Sequence, residues 1–115
     1  MTAQEKALRP PFLQEAVEGV LYVDQLKEHA HGQVVIDSNA SLGDEITLKV
    51  WTTTGNTWSG TQQVRTVPTV LEYEIPAGTF TKNMQSEAGA TLQYSVKRGT
   101  QDLGDSPVTK IRLVK

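Results

Sequence analysis

The chain has 115 residues, of which 37% are hydrophobic and 21% charged, with a net charge of −2 and no cysteine. This length fits one domain, and the composition is neither that of a disordered chain nor that of a membrane protein. The lack of cysteine excludes a disulfide framework, a thiolate metal site and a cysteine nucleophile.

The charge pattern argues against nucleic acid as a partner. The basic residues are scattered along the chain and form no run that would track a phosphate backbone. No apolar run approaches the roughly 18–20 residues that span a bilayer, so no membrane span is expected. The first residues, Met1 to Lys6, lack the apolar core of a signal peptide.

The N-terminal stretch, residues 1–18, is predicted to be an arm or linker that precedes a domain over residues 19–115. Arg9-Pro10-Pro11 cannot continue a helix and favours extended backbone. Phe12 and Leu13 are apolar and would anchor this arm to the domain.

The clearest strand is Asp44 to Val50, where apolar and polar residues alternate. Alternation with a period of two is typical of a strand with one face on a core and one in water. Trp51 follows out of phase and is predicted to leave the core face. Similar patterns predict about seven strands in all, at residues 19–23, 33–36, 44–50, 60–67, 70–75, 91–97 and 108–114.

The segments between these strands carry turn or loop residues. Residues 25–31 are polar and are predicted to form a loop, and residues 98–107 a hairpin connection rich in Gly and Asp. Phe80 and Met84 are spaced as on one turn of helix. The polar strand at 60–67 alternates weakly, which favours an edge position.

Several short strands separated by turns are the pattern of an all-β sandwich or barrel rather than of βαβ units. The pattern therefore predicts a β-sandwich or barrel of about seven strands with an extended N-terminal arm.

Several short motifs follow one another in a characteristic order between about Pro10 and Lys115. They are Pro10-Pro11, Glu15–Leu21 before Asp24, Gly43-Asp44-x-Ile46-Thr47-Leu48, Ile75-Pro76-Ala77, Leu92–Arg98 and Ser106-Pro107. Their order resembles that of the tandem immunoglobulin-like repeat modules of large bacterial surface or secreted proteins, of the pseudomonad type.

The resemblance implies an immunoglobulin-like antiparallel β-sandwich of about seven strands. It also implies a non-enzymatic structural or adhesive module that acts as a spacer or presenting domain. The implied partners are neighbouring domains of a longer chain, and the implied location is extracellular or at the cell surface. In isolation a monomer is expected.

The residues that might carry chemistry are few. His29 and His31 form a His-x-His pair without an evident third metal ligand, and no Gly-x-Ser-x-Gly motif is present. Calcium needs about six to eight oxygen ligands, more than Asp44 with Glu45 or Asp102 with Asp105 would supply. No catalytic residue, metal ligand or cofactor is therefore expected.

Trp51, Asn56 and Trp58 are the candidate ligand-binding residues. Tryptophans beside short polar side chains are suited to binding a glycan or a host or bacterial surface protein. The alternative is that one or both rings cap the core, because tryptophan is mostly buried on average. A glycan- or protein-binding module that uses the 51–60 loop is thus the alternative function.

Overall fold

The computed structural model describes residues 8–115, and they form an all-β sandwich consistent with the predicted immunoglobulin-like class. Nine strands, one 3₁₀ turn and one short helix follow in chain order. They are β1 (Phe12–Leu13), β2 (Val20–Tyr22), the 3₁₀ turn (Val23–Gln25), β3 (His29–Ile36), β4 (Glu45–Thr52), β5 (Thr57–Gln63), β6 (Thr69–Pro76), α1 (Gly78–Thr81), β7 (Gly89–Arg98), β8 (Gln101–Asp105) and β9 (Thr109–Val114).

The strands make a three-stranded sheet in the order β1-β3-β6 and a six-stranded sheet in the order β2-β9-β7-β4-β5. Strands β8 and β9 pair with the same edge of β7: β9 with its N-terminal part and β8 with its C-terminal part. All the pairs are antiparallel except β2 with β9. Strand β4 lies between β5 and β7, so the most regular stretch of sequence is a central strand, as predicted.

The core lies between the two sheets and is filled by alternate residues of the long strands. In β4 these are Ile46, Leu48 and Val50, each at most 1% exposed. Gly32 on β3 allows close approach of the sheets, because a Cβ there would lie 2.6 Å from Cδ2 of Leu48. The Tyr73 hydroxyl donates to the Ile46 carbonyl at 2.6 Å and so joins the sheets through their buried faces.

The structure corrects one prediction and adds detail to two others. Residues 29–31 belong to strand β3 rather than to a polar loop. Phe12–Leu13, the expected anchor of the arm, pairs with β3, and Leu13 is buried. Residues 1–7 of the arm lie outside the described part. The strand count rises from about seven to nine because β1 and β8 are short strands with little alternation.

The predicted edge position of the polar strand and the predicted hairpin over residues 98–107 are confirmed. The edge strand β5 spans Thr57–Gln63 rather than 60–67, so part of the 51–60 segment that was expected to be a loop is strand. A helical turn buries Phe80, but it ends at Thr81, before Met84. Residues 98–107 contain a turn and strand β8, which forms an antiparallel hairpin with β7. Within residues 8–115, no helix is long and apolar enough to cross a bilayer.

Candidate functional site

Trp51 lies on the outer face of the six-stranded sheet. It follows the buried Val50 in β4, and its side chain is 37% exposed, as its position out of phase predicts. Thr57 is its cross-strand neighbour on β5, and Thr91 is its neighbour on β7. The ring therefore lies in a row of hydroxyl-bearing side chains.

The surface around Trp51 is a shallow groove of mixed chemistry. Lys49 supplies an amine, and Thr47, Thr57 and Ser59 supply hydroxyls. Thr47 and Thr61 share a hydrogen bond across β4 and β5 at 2.8 Å, which orders this part of the face. An aromatic ring with hydroxyls and one cation beside it can stack on an apolar face of a ligand and bond to its polar groups.

Trp58 faces the other way. It pairs with Val50, packs against the core and meets Tyr73 edge to face, with ring centroids 6.5 Å apart at 84°. Gly60, two residues on, makes room for the indole, because a Cβ at that position would lie 2.8 Å from Cη2 of Trp58. Trp58 therefore caps the core, which is the alternative considered for the tryptophans in the sequence analysis.

Asn56 is used to hold the β4–β5 turn. Its side-chain amide donates to the carbonyls of Thr79 at 3.0 Å and Lys82 at 2.8 Å, which ties the turn to α1. Trp51 and Trp58 both border the groove, but the Trp58 ring packs on Tyr73, and the Asn56 amide holds a turn. Of the three predicted ligand-binding residues, Trp51 is the one that is exposed, and its part in binding stays a prediction.

The histidine pair lies on the outer face of β3. The Glu15 carboxylate accepts a hydrogen bond from the His31 backbone N–H at 2.8 Å, and its other oxygen lies 2.5 Å from Nδ1 of the ring. This carboxylate raises the pKa of His31, with smaller contributions from Glu72 and Glu74. Among residues 8–115, no group of three or more His, Cys, Asp or Glu side chains is placed to hold a metal ion.

An ion pair between the buried Asp44 and the half-exposed Arg98, absent from the sequence prediction, lies at one end of the sandwich. Asp44 is 1% exposed, and its carboxylate accepts hydrogen bonds from Nε and Nη2 of Arg98 at 2.8 and 3.0 Å and from the Ser41 backbone N–H at 3.0 Å. The guanidinium holds the pKa of Asp44 below its usual value of 3.8. In the sequence, Asp44 lies in the same alternation as Ile46 and Leu48. That position could have predicted an inward-facing carboxylate, which needs a cation as a partner.

The structure also shows how the acidic residues considered for calcium are used. Asp44 and Glu45 point to opposite faces of β4, and the oxygens of Asp44 are already bonded. Asp102 Oδ1 accepts a hydrogen bond from the Gly104 N–H at 2.9 Å, which is turn chemistry of the kind predicted for that hairpin.

Beside the Asp44–Arg98 pair lies a cavity of about 150 Å³ between the sheets. Its walls are mainly apolar and include Leu8, Ile36, Ile46, Tyr94, Val96 and Leu103. Burial raises the pKa of the Tyr94 hydroxyl.

No model of a known protein family, no curated protein and no solved structure matches the chain.

Proposed function

We propose that the chain is a non-enzymatic spacer or presenting module of a bacterial extracellular or cell-surface protein, joined to neighbouring domains. The observation that carries this proposal is where the chain enters and leaves the sandwich. Leu8 lies beside Asp44 and Arg98, at the end where β4 begins. Leu113 bonds to Ala88, next to Gly89 and Thr53, at the end where β4 finishes.

Leu8 and Leu113 therefore lie near opposite poles of a domain that measures 43 × 26 × 25 Å. A module that the chain enters at one pole and leaves at the other adds its length to a tandem array. A module with both ends at one pole would instead hang beside the array.

The use of the buried polar groups is consistent with a structural role. Among the described residues these groups are Asp44, Thr52 and Ser106. Thr52 Oγ1 accepts a hydrogen bond from the Asn56 N–H, and Ser106 Oγ accepts one from the Tyr94 N–H, both at 3.0 Å. Each of these buried polar side chains is therefore hydrogen-bonded within the fold: Thr52 in a turn, Ser106 to a strand, and Asp44 to Arg98.

The test is small-angle X-ray scattering on one, two and three copies of residues 8–115 joined end to end. We expect the maximum dimension to grow by about one long axis, 43 Å, with each added copy. A three-copy chain that scatters as a compact particle would contradict the spacer function.

The second candidate function is ligand binding by Trp51, most simply of a glycan, and the exposed ring among hydroxyls supports it. The test is titration with oligosaccharides, followed by the fluorescence of a Trp58→Phe chain, in which Trp51 is the remaining tryptophan. We expect a saturable change that is absent from Trp51→Ala. Binding that survives in Trp51→Ala would exclude this site.

A further inference from the structure

We propose that the free edge of β5 pairs antiparallel with β5 of a second copy of this chain and joins two six-stranded sheets side by side. Hydrogen bonds at the two ends of the β4–β5 ladder show which backbone groups of β5 are free. Thr52 N donates to Asn56 O at 2.9 Å, and Val64 N donates to Asp44 O at 2.8 Å, so both pairs are hydrogen-bonded pairs of one continuous register. Bonded and non-bonded pairs alternate in an antiparallel ladder. The even-numbered residues of β5 therefore bond to β4.

The odd-numbered residues of β5 direct their N–H and C=O groups away from the sheet. They are Thr57, Ser59, Thr61 and Gln63, and all four are exposed. Unpaired backbone groups along a strand are a template for another strand, and natural proteins blunt such edges with charge, proline, bulges or short length. Strand β5 reads Thr-Trp-Ser-Gly-Thr-Gln-Gln and holds no charge and no proline, and its pairing with β4 shows no register shift.

The edge of the other sheet, β6, is protected. Ala77 N bonds to Glu28 O, which by the same alternation turns Val70, Glu72, Glu74 and Pro76 outward. Two of these are charged and one lacks an N–H. The Glu72 carbonyl is also capped by the Gln62 side-chain amide at 2.6 Å.

The remaining edge strands of the described part are short or irregular. Strand β1 has two residues and β2 has three. Strand β8 carries Asp102 and Asp105, and its pairing with β7 shifts register beside Leu103. Strand β5 is thus the long, regular and uncharged edge, which is the combination that accepts a partner strand.

A second copy of β5 fits this edge because the strand is self-complementary about Gly60. With a two-fold axis at Gly60, the outward pairs are Ser59 with Thr61 and Thr57 with Gln63, each formed twice. Four such pairs exchange up to about eight backbone hydrogen bonds. Hydroxyl and amide side chains then meet across the axis, as Thr47 and Thr61 already do within the chain. No like charges oppose one another in this register.

The test is sedimentation velocity of the full chain between about 10 µM and 1 mM, the range in which a short strand pair would form. We expect a reversible rise from monomer to dimer. Ser59→Pro removes an outward N–H and none of the bonds to β4, so it should give a folded monomer. Within one chain, Ser59→Glu places the new carboxylate beside Lys49. In the dimer, the two new carboxylates lie close together across the two-fold axis and repel, so dimerisation should weaken about tenfold or more.

The matched control is Thr91→Glu, which makes the same charge change on the same face but on β7, away from the edge. It should dimerise as the unaltered chain does. Equal dimerisation of Ser59→Glu and Thr91→Glu would overturn the proposal, and so would a monomer at every concentration.

Amide NMR of the unaltered chain tests the proposal without any substitution. On concentration, the Ser59 and Thr61 amides should shift and gain protection from exchange, and the Gly60 amide should remain protected throughout. A dimer whose shifts lie outside Thr57–Gln63 would overturn the proposed edge.

Discussion

The two faces of the β4–β5 pair use the same kinds of residue for opposite purposes. Trp51 and Trp58 are both tryptophans and lie seven residues apart, yet one faces solvent and the other packs on Tyr73 over Gly60. Asp44 and Glu45 are adjacent carboxylates, yet one is buried against Arg98 and the other lies on the outer face. Position in the strand alternation, rather than residue type, decides whether a side chain holds the fold or is free to meet a ligand.

The largest difference between the faces is expected for the tryptophans themselves. Trp58→Ala should lower the free energy of unfolding by about 3 kcal/mol, because it leaves a cavity beside Tyr73. Urea unfolding followed by far-UV circular dichroism measures the change. A loss smaller than that of Trp51→Ala would reverse the assignment of the two faces.

Asp44→Ala should be the next most damaging change, at about 2 kcal/mol at neutral pH, because the fold loses the charge-assisted hydrogen bonds of the buried carboxylate, while the half-exposed Arg98 regains water. The pKa of Asp44 is lowered in the folded state, so its contribution is present above the usual value of 3.8 and is lost as pH falls through the folded pKa. Unfolding experiments between pH 7 and pH 2 should therefore show a shallower acid loss in Asp44→Ala. Glu45→Gln on the outer face is the control and should follow the unaltered chain.

Gly60→Ala probes the contact that admits the inner tryptophan. The added methyl would lie 2.8 Å from the Trp58 ring, and we expect a cost of about 1 kcal/mol. The cost should disappear in the Trp58→Ala background, because the clashing ring is gone, and a double-mutant cycle measures this coupling. An equal cost in both backgrounds would place the strain elsewhere.

Trp51→Ala should cost clearly less than Trp58→Ala, about 1 kcal/mol, because the residue lies on the outer face and is 37% exposed. Its exposure is measured separately with the single-tryptophan chains Trp51→Phe and Trp58→Phe. Acrylamide should quench the fluorescence of Trp51 strongly and that of Trp58 weakly. Equal quenching of both rings would contradict the contrast between the faces.

The sequence was sufficient for the features that depend on neighbouring residues. Alternation in Asp44–Val50 identified a central strand, and the phase of Trp51 correctly placed it off the core face. The weak alternation of the polar strand correctly placed it at an edge. Such features follow from the period of a strand, which the chain carries locally.

Tertiary structure decided the features that join distant segments. Arg98 neutralises Asp44 from 54 residues away. Pairing with β6 makes a strand of His29–His31, a segment that composition alone presented as a loop. Trp58 faces inward because β5 pairs with β4 in a register that puts it opposite Val50, and Tyr73 of the other sheet then meets it. Local periodicity can assign a face to each residue of a strand, but which sheet, partner or charge that face meets depends on contacts made only when the two sheets pack.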